Sequence, residues 1–181
     1  MSGGSSSTSV ILPYMNIVIR QATLEDLGTI QAILAHAVNH KLLRGDVSWG
    51  FTSYEGEDIE KSIQDNSAYV AQIDNAVVGT FILTWKDEGT WGVQPPTAAY
   101  VQRLAVSSNH HRQNIGAEIL DAISKAVGGH NRSLLRLTCS SANTKLCSYY
   151  QGLGFTRADS IASPNHISKP TAYFERPIAE Y

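Results

Sequence analysis

Polar residues between an apolar strand and an amphipathic helix form the first candidate for chemistry in this chain. Residues 100–106 (YVQRLAV) predict a strand, and residues 115–128 carry apolar side chains at helical spacing. The backbone N–H groups at the start of a helix have no internal partner, and the helix dipole favours negative charge there. Together with the small residue Gly116, this pattern predicts a phosphate-binding turn, with an ordinary strand-to-helix connection as the alternative.

A second pair of polar residues lies on the last predicted helix, which follows an inner strand. Asn143 is the predicted N-cap of this helix, and Tyr150 stands seven residues later on the same helix face. A phenol there could donate a proton or a hydrogen bond, because its ordinary pKa is about 10. Leu146 and Leu153 share the face with Tyr150, so a purely structural role in the core is the alternative.

Cysteine and histidine residues give no sign of metal or covalent chemistry. Cys139 and Cys147 have no base beside them in the sequence, and both lie in apolar patterns, so we expect small buried residues. The chain has no CxxC pair. The adjacent loop histidines His110 and His111 diverge and have no cysteine or acidic ligand beside them, so no metal site is predicted.

Length and composition limit the class of protein. The chain has 181 residues, of which 43% are hydrophobic and 17% charged, and its formal net charge is −2. These values predict one globular domain and give no reason to expect nucleic acid as a partner. No apolar run approaches the ~18 residues of a membrane span, and residues 1–9 lack the basic start and apolar centre of a secretory signal. We therefore expect a flexible tail over residues 1–14, no membrane partner and a cytoplasmic location.

The elements that must position these residues follow from apolar periodicity and turn signals. Thr23 and Asp26 form an acidic capping box that opens a helix. An Asp-Asn pair at residues 74–75 predicts the turn of a hairpin, and residues 87–96 predict a loop with an exposed Trp91. Predicted strands cover residues 17–20, 69–73, 77–85, 100–106, 133–138 and 171–176, with a further strand from residue 155, and predicted helices cover residues 23–38, 57–63, 115–128 and 143–152.

Three stretches occur in an order that resembles the GNAT superfamily of N-acyltransferases. VQRLAVSSNHHRQNIGAEIL resembles the acyl-CoA motif of that family, a Q/R-x-x-G-x-G/A turn after a strand that ends in L-A-V. LLRLTCSSANTKLCSYYQGLGF resembles the second motif, and IVIRQATLEDLGTIQAIL resembles the opening strand and helix. The resemblance covers residues 17–174 and implies an α/β fold of the α+β type. This fold is a mixed, mostly antiparallel twisted sheet of six or seven strands flanked by helices, in one acetyltransferase domain over residues 15–181.

The resemblance also implies acetyl-CoA as co-substrate, with its pyrophosphate on the amides at the helix start. His111 stands where the motif has Gln or Arg, and Asn114 stands where it has its first Gly, although Asn tolerates left-handed backbone. A backbone N–H near the end of the strand would polarise the thioester carbonyl as a fixed donor. The residues assigned to the cofactor are Leu104, Ala105, Val106, His111, Arg112, Gln113, Asn114, Ile115, Gly116, Ala117, Asn143 and Tyr150.

Roles in the reaction follow from the same resemblance. Tyr150 would protonate the departing thiolate as the catalytic residue, and Asn143 would bind the CoA arm. We expect the neighbouring Tyr149 to point away from the site on the helix and to have a structural role. The family often has its base at the position of Gln102, which cannot accept a proton, so we favour a water relay held by Gln102 and backbone carbonyls. The predicted substrate-binding residues are Gln102 and Trp49. Trp49 lies in the irregular segment 40–55. Other candidate bases are Asp46, Glu57, Asp87, Glu88 and His166.

The leading functional hypothesis is direct transfer of an acetyl group from acetyl-CoA to an amine of a small molecule, without a covalent acyl-enzyme. An amino sugar, a polyamine or an amino-acid derivative would be such an acceptor. One alternative is a protein or peptide amine, and another is an acyl-CoA-binding module without catalysis, which Gln102 and Asn114 favour. A homodimer is a further hypothesis, because Trp49, Phe51 and Trp91 lie in irregular segments where exposed aromatics could form a patch.

Overall fold

A computed structural model of the chain describes residues 16–49, 56–111, 113–159 and 170–178. These residues form a seven-stranded sheet in the order β1-β2-β3-β4-β5-β7-β6. The strands are β1 (Val18–Gln21), β2 (Ala68–Ile73), β3 (Ala76–Thr84), β4 (Ala98–Val106), β5 (Leu134–Ser140), β6 (Thr156–Arg157) and β7 (Thr171–Pro177). The helices are α1 (Leu27–Leu42), α2 (Gly56–Gln64), α3 (Glu88–Trp91), α4 (Ile115–Gly128) and α5 (Thr144–Gly152).

Strand pairing in the sheet is antiparallel except between β4 and β5, which run parallel at its centre. The predicted hairpin joins β2 to β3 through Asp74 and Asn75, whose φ angles are 49° and 66°. Two successive positive φ angles suit a tight hairpin turn, and Asn and Asp adopt them more readily than most residues. The predicted mixed, mostly antiparallel sheet of six or seven strands flanked by helices is confirmed.

Helices cover both faces of the sheet. On one face, α4 buries Ile115, Ile119, Ile123 and Val127, which follow each other at four-residue spacing and pack against the central strands. On the other face, α1 and α2 bury a second set of apolar side chains against β2 and β4. Helix α5 adds Cys147 and Tyr150 to the core that α4 covers.

The start of α1 confirms the predicted capping box. A short 3₁₀ turn precedes the helix, and the Asp26 carboxylate accepts from the Thr23 backbone N–H at 2.8 Å. Arg20 on β1 donates to both carboxylate oxygens of Asp26, at 2.7 and 2.8 Å. The helix continues four residues beyond the predicted end at residue 38, because Val38 is buried and no helix breaker occurs before Gly45, where φ is +74°.

The predicted exposure of Trp91 is wrong. The loop over residues 87–96 contains α3, and Trp91 is only 1% exposed. Its ring makes edge-to-face contacts with Tyr100 and Tyr173, and the guanidinium of Arg136 lies over it. The ring of Trp91 fills a small separate core instead of facing solvent. Trp91 therefore cannot belong to the exposed aromatic patch on which the homodimer hypothesis depends. Phe51, another residue of that hypothesis, lies outside the described residues.

Some predictions fall on parts of the chain that the structure does not describe. The N-terminal tail, Arg112 and His166 are among them, as is the side chain of Glu57. Within the described ranges, no helix combines the length and the apolar character needed to span a membrane.

Candidate functional site

The two parallel strands at the centre of the sheet separate part of the way along their length. The register of β4 against β5 runs from Ala98 and Leu134 to Val101 and Leu137, and it ends there. Beyond this point β4 continues beside β3, and β5 continues beside β7. The opening holds a cavity of about 450 Å³, the gap cavity. Its floor and walls include Val101, Leu104, Ala105, Val106, Leu137, Thr138 and Cys139.

A β-bulge in β4 shapes the wall of the gap cavity. Thr80 pairs with Ala105, but Ile82 pairs with Gln102, so β4 advances three residues while β3 advances two. Arg103, within the extra step, has a φ of +51°, a left-handed conformation that non-glycine residues adopt rarely. Beyond the bulge, Leu104, Ala105 and Val106 all line the gap cavity, and Ala105 also packs in the core beneath α1. Bulges of this kind occur preferentially beside active sites, and neither composition nor periodicity reveals them.

The turn between β4 and α4 has the conformation that the sequence predicts. Asn114 is the N-cap of α4, with φ 60° and ψ 14°, so asparagine supplies the left-handed backbone expected of glycine. Its carbonyl oxygen accepts from the N–H groups of Ala117 and Glu118, at 3.1 and 3.2 Å. The helix therefore begins at Ile115, and its first amides are the donors that a helix start leaves without an internal partner.

Gly116 lies at a close approach in this turn. A Cβ atom added to Gly116 would be 3.0 Å from the hydroxyl oxygen of Tyr149, which is tighter than most real contacts. A second cavity of about 430 Å³, the turn cavity, lies beside it. Its lining includes His110, His111, Asn114, Ile115 and Gly116. The turn therefore combines free space, helix-start amides and a small residue, which is the combination that fits an anionic phosphate group.

Two residues assigned to the cofactor lie at the edges of this turn rather than in the lining of either cavity. Gln113 is exposed, and Ala117 is buried on the core side of α4. The position of Arg112 lies outside the described residues. Backbone amides of Gln113 and Ala117 remain part of the turn, but their side chains contribute nothing to the two cavities.

Three histidines meet beside the turn. The ring of His111 lies 5.8 Å from that of His36 and 6.1 Å from that of His40, measured between centroids. The Nε2 atom of His111 lies 3.2 Å from the Val106 carbonyl oxygen, which can only accept a hydrogen bond. Burial lowers the pKa of His40, and the neighbouring cation Arg44 and the other two histidines lower it further. The gap cavity is also lined by three cations, Lys41, Arg103 and Lys145. The ionisable groups of its described lining are therefore histidine, lysine, arginine, cysteine and tyrosine side chains.

Tyr150 occupies a position that serves both the core and the site. Its side chain is 8% exposed and packs against Phe155 and Phe174, yet it lines both the gap cavity and the turn cavity. Burial raises the pKa of Tyr150 well above that of an ordinary phenol, and the nearby Cys139 thiol adds to this effect. The hydroxyl therefore stays protonated and can donate a hydrogen bond at every physiological pH.

The expectation that Tyr149 points away from the site is wrong. Tyr149 also lines both cavities, and its hydroxyl group lies over Gly116. The rings of Tyr149 and Tyr150 are adjacent, with centroids 5.6 Å apart. Successive helix residues diverge by about 100°, but the gap between β4 and β5 is wide enough to be lined by both side chains. Spacing along one helix could not show this.

Asn143 caps α5 as predicted. Its Oδ1 atom accepts from the Leu146 N–H at 3.1 Å, and its Nδ2 atom donates to Asp46 Oδ2 at 3.4 Å. The side chain therefore joins the N-terminus of α5 to the loop that follows α1. It lines the gap cavity, but both ends of its amide already have protein partners.

Of the two predicted substrate-binding residues, the structure places one, Trp49, in the gap cavity and the other, Gln102, outside it. Trp49 lines the gap cavity, and the ammonium group of Lys41 lies over its ring at 5.1 Å. Gln102 lines neither the gap cavity nor the turn cavity. Its Nε2 atom instead donates to Asp87 Oδ2 at 3.0 Å. The bulge that follows Gln102 accounts for the difference, because it changes which side chains of β4 face the opening.

The candidate bases among the described residues are engaged elsewhere or held as anions. Asp46 accepts from Lys41 Nζ at 2.7 Å and from the Ser48 N–H at 3.0 Å. Burial acts to raise the pKa of Asp46, but the hydrogen bonds from Lys41 and Ser48 outweigh it and lower the pKa to about 2. Asp87 caps α3 by accepting from the Thr90 N–H, and Glu88 begins that helix. A carboxylate with so low a pKa is a weak base, so a water relay remains our prediction. Gln102, which lies outside the gap cavity, is not placed to hold that water.

Cys139 and Cys147 lie together at the inner wall of the gap cavity. Their sulfur atoms are 3.7 Å apart, and Cys139 lines the cavity while Cys147 is buried. Burial raises the pKa of the Cys139 thiol to about 12, and the contact with Cys147 contributes in the same direction. A thiol in this state is a poor nucleophile, since the thiolate is the reactive form.

A third cavity of about 1000 Å³, the loop cavity, lies on the far side of the gap cavity. It is bounded by residues 44–49 after α1, the first turn of α5 and the start of β7. Six residues line both cavities: Arg44, Trp49, Thr138, Cys139, Asn143 and Lys145. The gap cavity also shares six residues with the turn cavity: Leu104, Val106, His111, Leu146, Tyr149 and Tyr150. The three cavities therefore form a series from the start of α4, through the gap, to the loop after α1.

Several residues that line this series or lie at its edge are not among the site residues assigned from the sequence. His40 and Arg44 line the gap cavity, and His36 contacts its edge through His111. The three lie four residues apart along α1 and the residues after it, so they share one side, which is the signal that could have identified them. No group of three or more histidine, cysteine or acidic residues suited to a metal ion occurs among the described residues.

Comparisons with known proteins agree with this geometry. A model of the Acetyltransferase (GNAT) family matches residues 37–155. The chain is 25% identical over 154 residues to the uncharacterized N-acetyltransferase YesJ of Bacillus subtilis (strain 168), covering 81% of this chain and 85% of that protein.

Solved structures share the fold at low sequence identity. A GNAT-family acetyltransferase from Streptococcus agalactiae superposes with a TM-score of 0.74 at 15% identity, covering 91% of this chain and 96% of that one. The putative acetyltransferase yncA from Salmonella typhimurium, solved with acetyl-CoA, has a TM-score of 0.65 at 15% identity, covering 91% and 95%. The chain belongs to the GNAT family of acetyltransferases, and it is an acyltransferase with acetyl-CoA as its co-substrate.

Proposed function

We propose that this protein transfers the acetyl group of acetyl-CoA directly to an amine of a small molecule. The observation that carries the proposal is the series of three cavities, which opens at the start of α4 and again at the loop after α1. Two substrates could enter from opposite ends and meet between β4 and β5. A site of this form suits a reaction in which donor and acceptor are bound at the same time.

The turn cavity is the proposed site of the phosphates. The amides of Ile115 and Gly116 start a helix, and the rings of His110 and His111 line the same cavity and can supply hydrogen bonds. Asn114 holds the turn open in a left-handed conformation. The residues present therefore fit a pyrophosphate, and the apolar wall made by Leu104, Val106 and Leu146 fits the arm that leads away from it.

The gap cavity is the proposed site of the reaction. Acetyl-CoA supplies an acyl thioester, whose carbonyl carbon forms a bond to the acceptor nitrogen as the carbon–sulfur bond breaks. The bulge at Arg103 interrupts the regular pairing of β4, and we propose that a backbone N–H there polarises the carbonyl. Tyr150 then donates a hydrogen bond or a proton to the leaving sulfur, and the acceptor nitrogen loses its proton to water.

Binding of acetyl-CoA is tested by Gly116→Asp. The substitution adds a side chain where a Cβ atom would already meet Tyr149, and it adds negative charge at the phosphate site. For the wild-type protein, ligand at 100 times its dissociation constant should stabilise the fold by about 2.7 kcal/mol, seen as a rise in melting temperature. The rise should be absent for Gly116→Asp.

The matched control for this experiment is Gly28→Asp. It makes the same charge change on α1 at a position where an added Cβ atom meets nothing within 4 Å. Its melting temperature should rise with acetyl-CoA as the wild-type one does. Equal rises for both variants would contradict the placement of the phosphates at the α4 turn, and the lack of any rise in the wild-type protein would contradict binding.

A further inference from the structure

Two cations lie where the gap cavity meets the loop cavity, here called the passage. Arg44 follows the end of α1, and Lys145 lies in the first turn of α5. Both line both cavities. They lie at the end of the series away from the α4 turn, and neither lines the turn cavity. Their charge is therefore placed toward the side from which the acceptor would enter.

These two cations differ from their neighbours in having no carboxylate partner among the residues that the structure describes. Lys41, which lines the gap cavity with them, is paired with Asp46 at 2.7 Å. Arg103 lies 3.8 Å from Asp58. Asp46 is the acid in the described lining of the loop cavity, and its charge is balanced by Lys41. The described wall of the passage therefore carries an excess of positive charge.

The positive charge of Lys145 is placed unfavourably when no ligand is bound. A lysine in the first turn of a helix lies at the positive end of the helix dipole, where acidic residues are favoured. Asn143 already caps this helix, so Lys145 is not needed to satisfy its backbone. An anionic ligand held between Lys145 and Arg44 would offset the repulsion between the Lys145 ammonium group and the positive end of the helix dipole. The planar guanidinium of Arg44 can bind a carboxylate through two parallel hydrogen bonds.

We infer that the acceptor is a small amine that also carries a carboxylate, that is, an amino acid or a close derivative, which Arg44 and Lys145 bind by its acid group. This inference rests on the proposed function. Held in this way, the carboxylate lies at the passage and the amine extends past Thr138 and Cys139 into the gap between β4 and β5. Polyamines and amino sugars carry only positive charge and would meet like charges at the same place.

The first test uses acceptors in matched sets: free amino acids, the corresponding carboxamides and the corresponding decarboxylated amines. Thiol release from acetyl-CoA is measured for each. Loss of a hydrogen-bonded ion pair costs about 10–100-fold, so kcat/KM for the acids should exceed that for the amides by this factor. Equal or faster reaction of the amides or amines would overturn the inference and leave the proposed function standing. No thiol release with any amine would overturn both.

The second test uses Arg44→Gln and Lys145→Gln, with Lys61→Gln as the matched control on the exposed surface of α2. Each of the first two variants should raise KM for the acid-bearing acceptor by about 10–100-fold and leave KM for acetyl-CoA unchanged. Their preference for acid over amide should fall in parallel, while Lys61→Gln keeps the wild-type values. A rise confined to KM for acetyl-CoA would assign these cations to the donor and overturn the inference.

Discussion

At the scale of single residues, Tyr150 is both a core residue and a site residue. Its ring packs against Phe155 and Phe174, and its hydroxyl end reaches the gap cavity. Because burial raises its pKa, it can hold a proton in place but gives it up reluctantly. Its contribution to catalysis is therefore best described as a hydrogen bond to the leaving sulfur that strengthens as negative charge develops there.

Tyr150→Phe removes this hydroxyl and keeps the ring. We expect kcat to fall by about 10–1000-fold, with little change in KM for acetyl-CoA, because the lost donor acts mainly in the transition state. The pH profile should keep its shape, since the phenol does not titrate in the range where the enzyme works. Initial rates against pH for both proteins measure this.

The control for Tyr150→Phe is Tyr69→Phe, a residue on β2 whose ring stacks on Phe81. It should leave kcat unchanged. Tyr149→Phe does not serve as a control, because Tyr149 lines the same cavities. Full turnover by Tyr150→Phe would mean that Tyr150 only packs, and loss of an alkaline limb in its pH profile would mean that the phenol titrates in the wild-type protein.

At the scale of elements, the link between β1 and the start of α1 depends on Asp26. The bidentate hydrogen bonds from Arg20 are the main cause that lowers the pKa of Asp26 from 3.8 to about 2, against the opposing effect of burial. A group whose pKa is lower in the folded state stabilises the fold above its unfolded pKa. That stabilisation is lost as the pH falls through the folded value.

Asp26→Asn should therefore lower the free energy of unfolding by about 1–2 kcal/mol at neutral pH, after allowance for the partly exposed Arg20. The difference from wild type should shrink as the pH falls from about 4 toward 2. Urea denaturation at several pH values measures it, with Asp65→Asn as a control in an exposed turn. A difference that stays constant down to the lowest pH would show that the charge of Asp26 contributes nothing.

The sequence predicts some elements of the site well, and the reason is local. Asn114 could be read as a left-handed residue and Asn143 as a cap, because each depends on a few neighbouring residues. The bulge at Arg103 depends instead on the register between β3 and β4. Trp91 and Tyr149 were misplaced for a similar reason, since burial and orientation depend on which strands and helices lie opposite them.

At the scale of the whole molecule, the parting of β4 from β5 joins three cavities into one path. Helix α4 presents amides at one end, and the loop after α1 and the start of α5 present cations at the other. The sequence could not show that Arg44 and Lys145 lie at the same end of this path, because about a hundred positions separate them. The path explains how acetyl-CoA and the acceptor could be bound together, so that no product has to leave before the second substrate binds.

The most direct test of this account is the initial-rate pattern when acetyl-CoA and an accepted amine are varied together. Because both substrates are proposed to occupy the path at once, and because the raised pKa of Cys139 makes it a poor nucleophile, double-reciprocal plots should intersect. Intact-protein mass spectrometry with acetyl-CoA alone should find no acetylated enzyme. Parallel lines together with an acetylated enzyme that passes its acetyl group to the amine would contradict direct transfer.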